Sequence, residues 1–214
     1  MKRILVVVLC FVGCCCLSFG GCKSTVNLGD YLTELQSDIF YGESEDFKVK
    51  ASYGFKTENG KKVHLFTVKL LDRETDNATY YLRFNLDKEY SSKFSLNPVS
   101  NSLTAKIEVL PFDQKELVVT VSVDSKRVDV VLRSIIPDGT VDYLSALNSL
   151  NETQPQLIEN YKDENGDLVL EISMRVLCKD EKAYYYVGLT KNNDLKALLI
   201  DGESLEVLAI RSIF

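Results

Sequence analysis

Apolar and polar residues alternate with a period of two over much of the chain after residue 46, as in strands that bury one face. Asn, Asp, Gly and Pro residues interrupt the alternation at short intervals and predict the intervening turns. One apolar face per strand favours an antiparallel β-sandwich of Ig-like architecture. The predicted strands lie near residues 46–55, 63–71, 80–86, 93–97, 103–109, 117–123 and 128–132.

A different period precedes these strands. Apolar residues recur three or four positions apart between Leu28 and Ile39, which predicts an amphipathic helix over residues 28–40. Asn27 and Asp30 stand where the N-terminal cap of such a helix belongs. The apolar face has no basic flank, so packing onto the domain is favoured over lying on a membrane.

The pattern changes again at Pro137-Asp138-Gly139. Thr140 is a suitable cap for a helix that ends near Leu150, and a second short helix is predicted over residues 155–161. A helical region followed by a strand meander predicts helices packed on a four-stranded antiparallel sheet. The chain is therefore predicted to be mainly β, with a helix plus β-sandwich over residues 28–137 and an α+β unit over residues 138–214. The strands of that unit are expected near residues 167–178, 182–190, 195–201 and 205–213.

The N-terminus has the pattern of an export signal. Met1-Lys2-Arg3 is basic, and the run from Ile4 to Phe19 is apolar. This run is short for a membrane-spanning helix, which needs about 20 apolar residues. It ends in Phe19-Gly20-Gly21-Cys22, and polar residues follow at once.

That ending resembles the lipobox of bacterial lipoproteins, although Phe19 replaces the usual leucine. The resemblance implies that residues 1–21 are a signal peptide and that Cys22 carries the lipid and becomes the mature N-terminus. Residues 22–27 would then tether the domain to the extracytoplasmic face of a cell membrane. Cys14 is a rival lipidation site, but cleavage there would leave apolar residues and further cysteines exposed. A plain secreted protein and an uncleaved anchor are the remaining alternatives.

Charge and cysteine placement narrow the class of protein. The formal net charge is −6, and an acidic surface repels phosphate backbones, which argues against nucleic acid as a partner. Five of the six cysteines lie within the first 22 residues, and Cys178 stands alone downstream. A disulfide framework would distribute its cysteines over the domain. We therefore expect a domain without disulfides, in which Cys178 is a small buried apolar residue.

Catalytic and metal-binding patterns are sparse. His64 is the only histidine, and its place on a predicted strand indicates a partly buried structural role. Acidic turns near residues 72–77 and 163–167 could offer oxygens to Ca²⁺, but these residue types are also typical of ordinary turns. No catalytic residue, cofactor or metal site is predicted.

Two tyrosines of Tyr184-Tyr185-Tyr186 share one sheet face, where they could stack a sugar or anchor a protein.

These patterns favour a non-enzymatic binding or interaction module of the cell envelope, attached to the membrane by its lipid. Its partner would be an envelope protein or a glycan. One alternative is an accessory protein, an inhibitor or chaperone, in which residues 138–214 are the working part. Another is a hydrolase built from carboxylates alone, which needs two acids at a fixed separation.

Overall fold

The computed structural model describes residues 26–71, 78–98, 102–192 and 194–213. Within these residues, thirteen strands form one continuous sheet. The strands are β1 (Leu32–Glu43), β2 (Lys48–Glu58), β3 (Lys61–Leu70), β4 (Tyr80–Asn85), β5 (Glu89–Lys93), β6 (Ser95–Asn97), β7 (Ser102–Glu108), β8 (Glu116–Val123), β9 (Lys126–Ser134), β10 (Glu171–Lys179), β11 (Lys182–Lys191), β12 (Asp194–Asp201) and β13 (Val207–Ile213). In the same described ranges, a 3-10 turn (Leu28–Tyr31) precedes β1, and three short helices, α1 (Tyr143–Asn148), α2 (Leu150–Thr153) and α3 (Pro155–Glu159), lie between β9 and β10.

The sheet has a main path and a second arm. The main path runs β13-β12-β11-β10-β1-β2-β3-β7-β6, and the arm β5-β4-β8-β9 joins it at β1. Neighbouring strands are antiparallel except β1 and β10, which are parallel. The arm folds over the main path until β5 contacts β7, so this part of the sheet is nearly closed.

Two hydrophobic cores lie on this sheet. Core A is built from buried residues between Phe40 and Leu132, and it fills the space between the second arm and the facing strands. Core B gathers the buried residues of the helices and of β10–β12. Strand β1 contributes side chains to both cores, since Leu32 and Leu35 belong to core B and Phe40 belongs to core A.

Strand β1 is also where the sheet forks. Strand β2 occupies one edge of β1 from Glu34 to Glu43. The other edge is shared: residues up to Gln36 pair with β10, and Phe40 and Tyr41 pair with β9. A register shift between Gln36 and Asp38 marks a β-bulge at the fork, and such bulges bend a strand and leave one residue unpaired.

A close approach of two backbones accompanies the bulge. Gly54 of β2 lies opposite Gln36. A Cβ atom at Gly54 would collide with the backbone carbonyl of Leu35. Glycine therefore allows β2 to follow β1 through the fork.

The predicted N-terminal helix is wrong. Residues 28–31 form the 3-10 turn, and the rest of the predicted helix lies in β1. Register shifts occur after Leu32 and after Gln36. An inserted residue changes the strand's spacing of two, so that the buried residues fall three and four positions apart and imitate a helical face.

The predicted architecture is also wrong, although the chain is mainly β as expected. Two arms do face each other around core A, but they belong to one nearly closed sheet and not to an Ig-like sandwich. Strands β10–β13 are no independent four-stranded sheet under helices, because β10 continues the main sheet through β1. The helices are only four to six residues long. The predicted division near residue 138 falls between β9 and α1 and stays a prediction.

Candidate functional site

A cleft of about 540 Å³ opens at the fork of the sheet. Residues of both cores line it, since Tyr53 belongs to core A and Tyr185 to core B. One wall comes from the segment before β8 and the other from the segment between β9 and α1. The lining residues are Ser37, Asp38, Tyr53, Phe112, Asp113, Lys115, Ser134, Ile136, Pro137, Asp138, Gly139, Thr140, Val141, Asp142, Tyr143 and Tyr185.

Asp38 is the buried carboxylate at the base of the cleft, 7% exposed as a whole residue. Its oxygens accept hydrogen bonds from the Ser134 hydroxyl at 2.6 Å, the Lys115 ammonium at 2.7 Å and the Ile39 backbone N–H at 2.8 Å. On the edge of β1 that β10 and β9 share, the residues between Gln36 and Phe40 pair with neither strand. Asp38 lies in this gap, and its side chain supplies hydrogen-bond acceptors there. Asp38 thus ties β1, β9 and the segment before β8 together.

Tyr53 and His64 form the aromatic side of the cleft. The Tyr53 hydroxyl accepts the Phe112 backbone N–H at 3.3 Å. The same hydroxyl forms a hydrogen bond with His64 Nδ1, 2.9 Å away. Burial raises the pKa of Tyr53. Burial and the charge of Lys62 lower the pKa of His64. Both shifts favour the neutral form of the side chain.

The opposite wall is fixed by two side chains. The Tyr185 hydroxyl donates to the Val141 carbonyl at 2.6 Å, and burial raises the pKa of Tyr185 to about 12. Asp142 caps α1 by accepting the backbone N–H groups of Leu144 and Ser145, each at 3.0 Å. Hydrogen bonds from Ser145 and Leu144 lower the pKa of Asp142, which keeps this carboxylate charged.

The mouth of the cleft presents side chains that the fold leaves accessible. Asp113 and Asp138 are exposed, and Phe112 and Tyr143 are partly buried. Counting the described lining residues, four aspartates face a single cation, Lys115, which gives the cleft a net charge of −3. The site therefore combines partly exposed rings with a negative potential.

A second cavity of about 330 Å³ adjoins the cleft. It shares Ser37, Tyr53, Phe112 and Tyr143 with the cleft and continues to Lys62 and His64. The cleft and this adjoining cavity are called the groove below.

The sequence-predicted residues fall mostly outside this groove. Cys22, the predicted lipidation site, lies outside the described residues. Cys178 is partly buried against core B, and burial, with a smaller contribution from the charge of Asp38, raises the pKa of its thiol. Tyr185 is buried, whereas Tyr184 and Tyr186 are partly exposed, as the alternation predicted. His64 and Tyr185 are the exceptions, because His64 lines the adjoining cavity and Tyr185 lines the cleft.

The acidic turn at residues 163–167 has a local structural role. The Asp163 carboxylate accepts the backbone N–H groups of Asn165 and Asp167, both at 2.9 Å, which is the local role expected in a turn. Residues 72–77 lie outside the described part of the chain. Within the part that is described, no three His, Cys, Asp or Glu side chains are grouped so that they could hold a metal ion.

Membrane crossing by a helix finds no support in the described ranges. None of the helices there has the length and apolar character that a bilayer demands.

Sequence reasoning missed the cleft itself. Asp38 is the lining residue that the sequence could have indicated. It is a carboxylate directly before Ile39-Phe40, in a segment whose other positions are largely apolar or small. Phe112 and Lys115 lie outside the regular strands, so no periodicity marks them. Their meeting with Asp38 and Tyr53 depends on how distant segments pair in the sheet.

Two of the lining aspartates, Asp38 and Asp142, hold the walls of the cleft in place. A carboxyl group that acts as a general acid near neutral pH needs a raised pKa. The pKa of Asp142 is lowered by its hydrogen bonds, so this carboxyl group does not meet that requirement. Asp38 is committed to three hydrogen bonds that hold the fork together.

Comparison of the chain with protein families, characterised proteins and solved structures found no match.

Proposed function

We propose that this protein is an exported lipoprotein, anchored through Cys22, whose folded part is a non-enzymatic binding module of the cell envelope. The cleft at the fork is its ligand site. The observation that carries the binding role is a cleft of about 540 Å³ with aromatic and polar side chains from both cores. Ligand sites are commonly concave, about 300–1,000 Å³ in volume, and lined by apolar groups with a few placed polar groups.

The anchor is supported by the order of residues at the N-terminus. A basic start, an apolar run and the small residues Gly20-Gly21 precede Cys22. An export signal has the first two features, and a lipobox has the last. Two or more acyl chains on one cysteine give stable membrane attachment, whereas a single chain is marginal.

The binding role is supported by the way the cleft walls are held. Asp38 fixes the base, and the Tyr185–Val141 and Tyr53–His64 hydrogen bonds fix the sides. Side chains that are ordered before the ligand arrives reduce the entropy lost on binding. Phe112, Asp113, Asp138 and Tyr143 remain accessible at the mouth.

Photo-cross-linking on intact cells tests this proposal. The photoreactive residue p-benzoylphenylalanine replaces Tyr143 at the mouth of the cleft in one variant. In the matched variant it replaces Leu177, which is 38% exposed and does not line the cleft. We expect a discrete adduct from position 143 and none from position 177. Absence of an adduct at 143, or the same adducts from both positions, contradicts a ligand site in the cleft.

A further inference from the structure

We infer that the ligand of the cleft is an extended peptide segment that places a lysine or arginine side chain between Phe112 and Tyr143 and the aspartates of the mouth. This inference rests on the proposed binding function and adds the chemical class of the ligand. Three observations carry it: the charge of the cleft, the rings at its mouth, and the continuation of the groove.

The charge of the cleft is not balanced from within. Lys115 is the one cation among the described lining residues, and Asp38 already holds it at 2.7 Å. Asp113, Asp138 and Asp142 then have no positive counterpart in the lining. A cleft lined by one sign of charge concentrates ligands of the opposite sign. The potential thus favours a cation over a neutral or anionic ligand.

The rings supply the second element of a cation site. Phe112 and Tyr143 line the cleft and are partly exposed. An ammonium or guanidinium group over an aromatic face is attracted by the quadrupole of the ring. The same groove already shows this contact, since the Lys62 ammonium lies 4.5 Å from the centroid of the Phe55 ring. A carboxylate beside a ring adds a charge-assisted hydrogen bond to the same cation.

The shape of the groove distinguishes a peptide from a small amine. The cleft and the adjoining cavity of about 330 Å³ share four lining residues, so the two lie side by side and an extended ligand can contact both. A small amine would fill only the part near the aspartates. A chain of several residues places one cationic side chain at the mouth and continues toward His64.

Selection from a randomised hexapeptide display library tests the inference on the full chain in detergent micelles. We expect lysine or arginine to be enriched at one fixed position of the selected peptides. The variant Asp113→Asn/Asp138→Asn should bind a selected peptide at least tenfold more weakly. The matched variant Glu58→Gln/Glu164→Gln removes the same charge from exposed residues outside the cleft and should bind within twofold of the unaltered chain.

Three outcomes overturn the inference. One is enrichment of neutral or acidic residues, and another is equal weakening in both double variants. The third is no selected peptide together with saturable binding of a neutral oligosaccharide such as chitotetraose. The cross-linking experiment is independent of ligand class, so a cleft adduct that proves to be a glycan would retain the proposed function and refute the peptide.

Discussion

Asp38 and Lys115 form an ion pair at 2.7 Å whose two partners are placed very differently. The side chain of Asp38 is 9% exposed and that of Lys115 is 70% exposed. Water can solvate the ammonium but has little access to the carboxylate. The carboxylate also accepts hydrogen bonds from Ser134 and Ile39, so we expect it to stabilise the fold mainly through these two bonds.

Substitutions at the two ends of this pair should therefore have unequal effects. Asp38→Ala leaves a partly buried hydroxyl and a buried N–H without their acceptor, so we expect a loss of about 3 kcal/mol in the free energy of unfolding. Lys115→Gln removes an exposed charge and should cost less than about 1 kcal/mol. Urea unfolding followed by circular dichroism measures both. Similar losses for the two variants would show that the ion pair itself dominates.

The fold should lose stability as the solution becomes mildly acidic because of His64. Burial, and then Lys62, lower the pKa of this histidine in the folded chain from 6.5. Below pH 6.5 the unfolded chain therefore takes up the proton more readily than the folded chain. Stability should fall as pH decreases from 6.5 to the folded pKa and then level off.

A proton NMR titration gives the folded pKa directly, since His64 is the only histidine in the sequence. Urea unfolding across this pH range should show a weaker pH dependence in His64→Gln than in the unaltered chain. A pKa at or above 6.5 is incompatible with this prediction.

Gly54→Ala should destabilise the chain by about 2 kcal/mol or more, since the new Cβ meets the Leu35 carbonyl and one strand must move. Ser52→Ala, two residues earlier on β2, is the control and should change the free energy of unfolding by less than about 0.5 kcal/mol. Thermal unfolding of both variants provides the comparison. A Gly54→Ala variant as stable as the control would mean that the fork accommodates a side chain.

The lipid anchor is tested by the intact mass of the protein extracted from its native membrane. We expect the mass of residues 22–214 plus acyl chains. Cys22→Ala should lose the acyl mass and leave the membrane fraction. An unacylated mass for the unaltered chain, or one that retains residues 1–21, contradicts lipidation at Cys22.

Deleting residues 138–214 should disrupt more than the part removed. Leu32, Leu35 and Ile39 are buried in core B, most of which the deletion takes away. Apolar residues of β1 would then face water, and we expect strong binding of the dye 8-anilinonaphthalene-1-sulfonate with loss of cooperative unfolding. A truncated chain that unfolds cooperatively would show that core A is self-sufficient.

Local patterns predicted most of the strands but not how they assemble. Strands such as β8, with one face in core A, kept the alternation that predicts a strand. Strand β1 serves two cores and contains bulges, so its spacing changed and a helix was predicted. Residues 93–97 were predicted as one strand, whereas β5 ends at Lys93 and β6 begins at Ser95, and the two strands have different partners.

The candidate site was still less accessible to sequence reasoning. Asp38 and Lys115 are 77 positions apart, and no periodicity relates them. Tyr53 and His64 lie on paired strands, but the hairpin alone does not place Phe112 beside them. Long-range pairing around β1 creates the cleft, so its residues become a group only once the sheet order is known.

The parallel pairing of β1 with β10 also constrains the order in which the chain can fold. Thr33 bonds to the carbonyl of Ile172, which is 139 positions away. Closing so long a loop costs entropy before the contact returns any stability, and such distant pairings are associated with slow folding. A chain that emerges N-terminus first presents β1 with one open edge until its final third arrives. Strand β1 is thus synthesised early but is among the last strands to have both edges paired. Until β10 pairs with it, its open edge must be protected from association with other chains.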